Sequence, residues 1–161
     1  MENSAATGPD GGSLGGMSFD DLPESWSDLP LDDPRLAADV VDLLVGHADR
    51  LDGCLCLLLL DDGLRLLQPV LVSEGGQERD PRAAAPGIGA VLDDVAAAGG
   101  ALVFARGRDG SVLLTDTDRV WHEVVLAESR RSGAPLVGAY LATPAAVRSF
   151  PAPLGEAAAA S

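Results

Sequence analysis

The sequence predicts an α/β fold: a single three-layer domain whose mixed sheet contains an N-terminal β-hairpin and a right-handed β-α-β crossover. Two apolar runs, "CLCLLLL" and "LRLLQPVLV", flank Asp61-Asp62-Gly63, a turn signal between strands. Further along, "ALVFA" and "PLVGAYLAT" are separated by a segment of helical period, the pattern of two parallel strands joined by a crossover. A chain of 161 residues, 47% of them hydrophobic, is long enough for one domain with its own core.

Each element has a local reason. Asp33 before Pro34 is an N-cap and N1 pair, and Leu36, Val40, Leu43, Leu44 and Ala48 recur at helical spacing, predicting a helix to about Leu51. Pro69 places the second hairpin strand at an edge or at a bulge. A polar loop from Ser73 to about Ala85 leads to "PGIGAVLDDVAAAGG", where Pro86, Ile88, Val91, Leu92 and Val95 mark a helix stopped by Gly99-Gly100. Its Gly-x-Gly lies inside a helix start rather than after a strand, and is read as chance. Thr115, with Asp118 three residues later, caps a helix carrying Val120, Trp121, Val124 and Val125 inward to about Gly133. "AVRSF" is a last edge strand.

The charge is uneven. The formal net charge is −14, yet residues 1 to 33 hold eight acids and no base, and every basic residue is Arg. Residues 1–32 therefore read as an acidic tail expected to be disordered, 33–150 as the folded domain and 151–161 as an Ala-rich tail of the same kind. Within the first tail, Phe19, Leu22, Trp26 and Leu29 are interleaved with acids. That spacing suits a short amphipathic helix in a partner's groove, with docking of Trp26 on the chain's own domain as the alternative. The acidic balance argues against nucleic acid or an anionic membrane surface as a partner. No apolar run reaches the ~18 residues of a membrane span and no secretory signal opens the chain, so the cytoplasm is the expected location. Cys54 and Cys56, two apart in a strand, share a face and read as buried, reduced thiols rather than a redox pair.

The stretch "ARGRDGSVLLTDTDRVWHE" follows a strand, where α/β proteins commonly bind ligands. The early hairpin, the loop opening on "TDTD", the helix behind it and the "GAYLATP" strand resemble the JAB/MPN metal-dependent hydrolase fold, especially its RadC-like branch with a deaminase-like core. The resemblance runs from about Cys54 to Phe150. It implies a His-x-His zinc motif after the strand, a Ser-x-x-Asp pair opening the next helix, and a water-polarising glutamate on the second strand. This chain departs from that pattern: Arg106 and Arg108 stand in place of the histidines, Thr115 and Asp118 keep the Ser-x-x-Asp spacing, and the second strand offers Gln68, Pro69 and Val70. Guanidinium groups stay protonated and cannot coordinate a cation, so no metal and no cofactor is expected.

The expected function is a catalytically inactive, metal-free JAB-like domain acting as a binding or assembly module, its partner a protein, a second copy included. One alternative is a small-anion or nucleotide sensor. Arg106 and Arg108 would bind the anion beside free N–H groups near Thr115 and Asp118, unless the two arginines merely balance Asp109, Asp116 and Asp118 in a solvated loop. The other is an enzyme of unrecognised mechanism, with Asp116, Asp118, His122 and Glu123 as its polar groups. His47 and His122, the two histidines, have no metal-binding spacing.

Overall fold

The computed structural model describes residues 25–74 and 79–151. Five strands form one mixed sheet in the order β2-β1-β3-β4-β5: β1 (Cys54–Leu60), β2 (Leu66–Ser73), β3 (Ala101–Gly107), β4 (Leu136–Ala142) and β5 (Val147–Ser149). The pairs β1–β2, β1–β3 and β4–β5 are antiparallel, and β3–β4 is parallel. Among the described residues four α-helices, α1 (Pro34–Leu44), α2 (His47–Asp52), α3 (Pro81–Ala97) and α4 (Asp116–Ser132), pack on this sheet, with α4 as the crossover from β3 to β4.

Alternation along the strands divides the core in two. Cys54, Cys56 and Leu58 of β1, with Val103 and Ala105 of β3, bury against Ala37, Val40 and Val41 of α1. Leu55 and Leu57, with Leu102 and Phe104, bury against Leu92 of α3 and Trp121 and Val125 of α4. The period of two sends neighbouring residues to opposite layers. The two cysteines share a face, as their spacing requires, and burial pushes their thiols up to about 11 for Cys54 and about 12 for Cys56.

Local chemistry explains the helix ends. Asp33 Oδ1 accepts from Arg35 N at 3.0 Å at the start of α1. In α4, Thr115 Oγ1 accepts from Asp118 N at 3.1 Å while Asp118 Oδ2 accepts from Thr115 N at 2.9 Å, a reciprocal capping box; the helix stops at Gly133, whose φ is 87°.

Two expectations need correction. The first helix does not run to Leu51: it ends at Leu44, Val45 is extended, and α2 begins after Gly46. The cause is Arg50, buried with Nε donating to Val45 O (2.8 Å), Nη1 to Thr143 O (3.0 Å) and Nη2 to Asp42 O and Oδ1 (both 2.9 Å). A continuous helix would keep the Val45 carbonyl in its own ladder. The next helix starts at Pro81, not Pro86, because Asp80 Oδ1 accepts from Arg82 N at 3.1 Å and repeats the Asp-Pro start of α1. β2 is the edge strand that Pro69 implies: Pro69 pairs regularly with Leu58, and the register irregularity lies between Leu59 and Leu60 of β1. The Gly-x-Gly lies within α3, as expected; a Cβ at Gly89 would meet only the ends of the Glu128 and Arg131 side chains, and Gly87 faces open space.

The chain's entry also lies on the domain. Trp26–Asp28 form a 3₁₀ turn, Trp26 packs on the α1-side core, and Leu31 is buried with its N–H donating to Leu64 O at 2.8 Å. Trp26 thus docks on its own chain, and Leu29 is half-buried beside it, whereas Phe19 and Leu22 lie outside the described residues. Among the described residues, no helix is long and apolar enough to cross a membrane.

Candidate functional site

The sheet end carrying Gly107 gathers the charged groups singled out from the sequence. β3 extends through Gly107, so Arg106 is a strand residue rather than part of a loop, and it points to the α4 side like Phe104. Gly107 is needed there: a Cβ would stand 2.7 Å from Cys54 Sγ and 3.0 Å from Val45 Cγ1, because the α1–α2 junction presses on the opposite face. With no side chain between them, Arg106 and Arg108 project together toward the start of α4.

Asp118 receives both. Its Oδ1 accepts from Arg106 Nε (2.9 Å) and Arg108 Nε (2.9 Å), and its Oδ2 accepts from Arg108 Nη2 (2.7 Å) and Thr115 N (2.9 Å). The side chain is 0% exposed. Burial alone would raise the Asp118 carboxyl; hydrogen bonds from Arg108 and the Thr115 backbone, with the charges of Arg108 and Arg106, more than reverse this and hold it below the usual carboxylate range.

The second carboxylate is one the sequence reading passed over. Glu74, buried just past the end of β2, takes Arg106 Nη1 on Oε1 at 3.2 Å and Arg79 N on Oε2 at 3.1 Å. The strand itself holds no carboxylate, but the next residue does. The Arg106 guanidinium also lies 5.8 Å from the Trp121 ring centroid, a cation–π distance. Two cations thus alternate with two anions in a largely water-free cluster. Arg108, the most exposed member at 14%, further ties the 108–115 loop by donating to Asp109 O and Leu113 O, both at 2.9 Å.

This replaces the picture of a solvated loop. Asp109 contributes its carbonyl rather than its carboxylate to Arg108, and Asp116 pairs at 3.4 Å with exposed Arg119. An external anion at Arg106 and Arg108 would have to displace Asp118 from both guanidinium groups, and the Thr115 capping box already engages the helix-start N–H of Asp118. The enzyme candidates do not combine either: His122 stacks on Phe150 at 4.8 Å, Glu123 and Asp116 are exposed, and Asp118 is buried. His47 is exposed at the start of α2.

Comparison with protein-family models, with curated proteins and with solved structures finds no match. Chemistry must therefore be argued from the cluster itself. Asp118 is ionised at neutral pH and has no proton to give, and the guanidinium groups do not deprotonate to act as bases. Both thiols remain protonated near neutral pH and face the other layer. Among the described residues, no three His, Cys, Asp or Glu side chains are grouped to hold a metal.

Proposed function

We propose that this chain is a metal-free, catalytically inactive relative of the RadC-like JAB domain that works in the cytoplasm as a binding or assembly module for a protein partner. One observation carries the reading: Asp118, which keeps the spacing of the family's ligand aspartate, is gripped by the two arginines that stand where the family has histidines. Glu74 on the far side of Arg106 supports it, since it lies at the end of the strand where the resemblance implies a glutamate.

The donor set does not fit zinc. A catalytic zinc needs about three protein donors and an open position. Here two carboxylates are available at most, and both are bound to guanidinium groups whose charge repels a cation. Two guanidinium charges take over the work of neutralising Asp118 and Glu74, so the fold survives without the chemistry. Assayed on peptide and isopeptide substrates, the protein should show no turnover, and replacing Arg108 should not alter that. Metal-dependent cleavage by the natural chain would overturn the proposal.

A further inference from the structure

At the opposite end of the sheet from the arginine cluster, an apolar groove of about 410 Å³ opens between the hairpin and α3. Leu59, Leu67 and Val70 form one wall, and Val91, Val95 and Ala98 form the other. Leu67 is 65% exposed, and β2, the edge strand that carries it, holds no charged residue. A partner that covers this surface buries apolar area without having to strip a strand of its own charges.

The charge around the groove has one sign. Asp94 is the single charged residue of its lining; it is exposed, and no described residue pairs with its carboxylate. Asp62 stands at the same end, since a Cβ at Gly99, next to Ala98, would lie 3.9 Å from Asp62 Cβ; its carboxylate too is exposed and unpaired among the described residues. Val95 and Ala98 also bring the C-terminal end of α3 to the groove, and the last turn of that helix holds no basic residue to offset its partial negative charge. Arginines on adjoining elements are engaged elsewhere: Arg65 Nε donates to Asp28 O at 2.9 Å, and Arg131 Nη2 pairs with Asp93 at 3.1 Å.

We propose that this groove is the docking site for a basic protein partner, which enters as a segment with Leu-sized apolar side chains beside Lys or Arg. The proposal rests on the reading of this chain as a binding module and gives that role a place and a partner chemistry. Apolar side chains fill the groove, and the partner's cations meet Asp94, Asp62 and the end of α3; burial supplies the affinity and charge the selectivity. The same charge disfavours the other occupants. Residues 1 to 33 of this chain hold eight acids and no base, so its own leading segment carries the wrong sign. A second copy brings a formal net charge of −14 against an acidic rim.

The test is methyl-resolved NMR on the full chain with two synthetic amphipathic peptides of identical Leu positions, one with Arg and one with Glu at the polar positions. The Arg peptide should shift the Leu67, Val70, Val91 and Val95 methyl resonances and leave those of Val40 and Val41, on the opposite face, in place. Its binding should weaken as salt is added. Asp62→Asn and Asp94→Asn, both at exposed positions, should each weaken it about two- to fivefold, the range of an exposed ion pair, whereas Asp116→Asn at the start of α4 should not. Groove methyls that do not respond, a Glu peptide that binds as well, or an equal loss with Asp116→Asn overturns the proposal. So does a groove signal that changes on dilution of the protein alone, which assigns the surface to a second copy. Zinc binding and turnover test the arginine cluster at the other end of the sheet, so either reading can fail without the other.

Discussion

Asp118 shows how a charged residue can be wholly buried and still stabilise. Its desolvation is offset because four donor groups, from two cations and one backbone amide, make five hydrogen bonds to it within 3.2 Å. Removing the anion reverses the balance and leaves two guanidinium groups against Glu74 alone. Asp118→Asn is therefore expected to cost about 3–5 kcal/mol in urea unfolding, the range for breaking a buried pair from one side. The pH dependence has a definite sign. The folded carboxyl titrates below its unfolded value of about 3.9, so its stabilisation is complete above that pH and is lost as pH falls through the lowered folded pKa. The stability gap between the natural chain and Asp118→Asn should be constant from neutral pH to about pH 5 and close in acid, as measured by unfolding at several pH values. Gly107 belongs to the same scale: Gly107→Ala drives a methyl into Cys54 Sγ and Val45 and should cost about 1–3 kcal/mol by overpacking.

Among the elements, α4 was legible in its capping box, inward Trp121, Val124 and Val125, and terminal Gly133, all local signals, although Val120 belongs to neither core. The strand faces were legible for the same reason. The break between α1 and α2 was not, since it depends on Arg50 meeting the Thr143 carbonyl 93 residues away. Nothing near Arg50 in the chain announces burial. Glu74 escaped for a similar reason: its partner Arg106 is 32 residues distant, and a glutamate next to "GGQERD" reads as loop. The Asp80-Pro81 start of α3 was available in principle, as it repeats Asp33-Pro34, but the later Pro86 drew the boundary. Arg50→Met tests the junction. It removes the donors to Val45 O, Asp42 and Thr143 O together, and should destabilise by about 3–5 kcal/mol. Loss of amide protection in α2 ahead of the central strands would locate the damage.

The whole molecule is a sheet with two cores, and its ends have different characters. One end is closed by charge, with Arg106, Arg108, Asp118 and Glu74 satisfying one another; the other carries an apolar groove beside an uncharged edge strand. The fold class and three-layer arrangement followed from periodicity, which is a local property. The closure of the charged end depended on side chains from β2, β3 and α4 meeting in space. Because the sheet core shields both thiols and keeps them protonated, Cys54 and Cys56 should resist a thiol reagent at pH 8 in the folded protein and react fully in urea.

On the function proposed above, the Arg106 and Arg108 guanidinium groups occupy the space between Glu74 and Asp118 that a metal would need. Zinc titrated calorimetrically into protein purified without chelator tests it most directly. The account predicts no saturable heat and no stoichiometric zinc in the starting material; a tight site holding about one zinc per chain would contradict it.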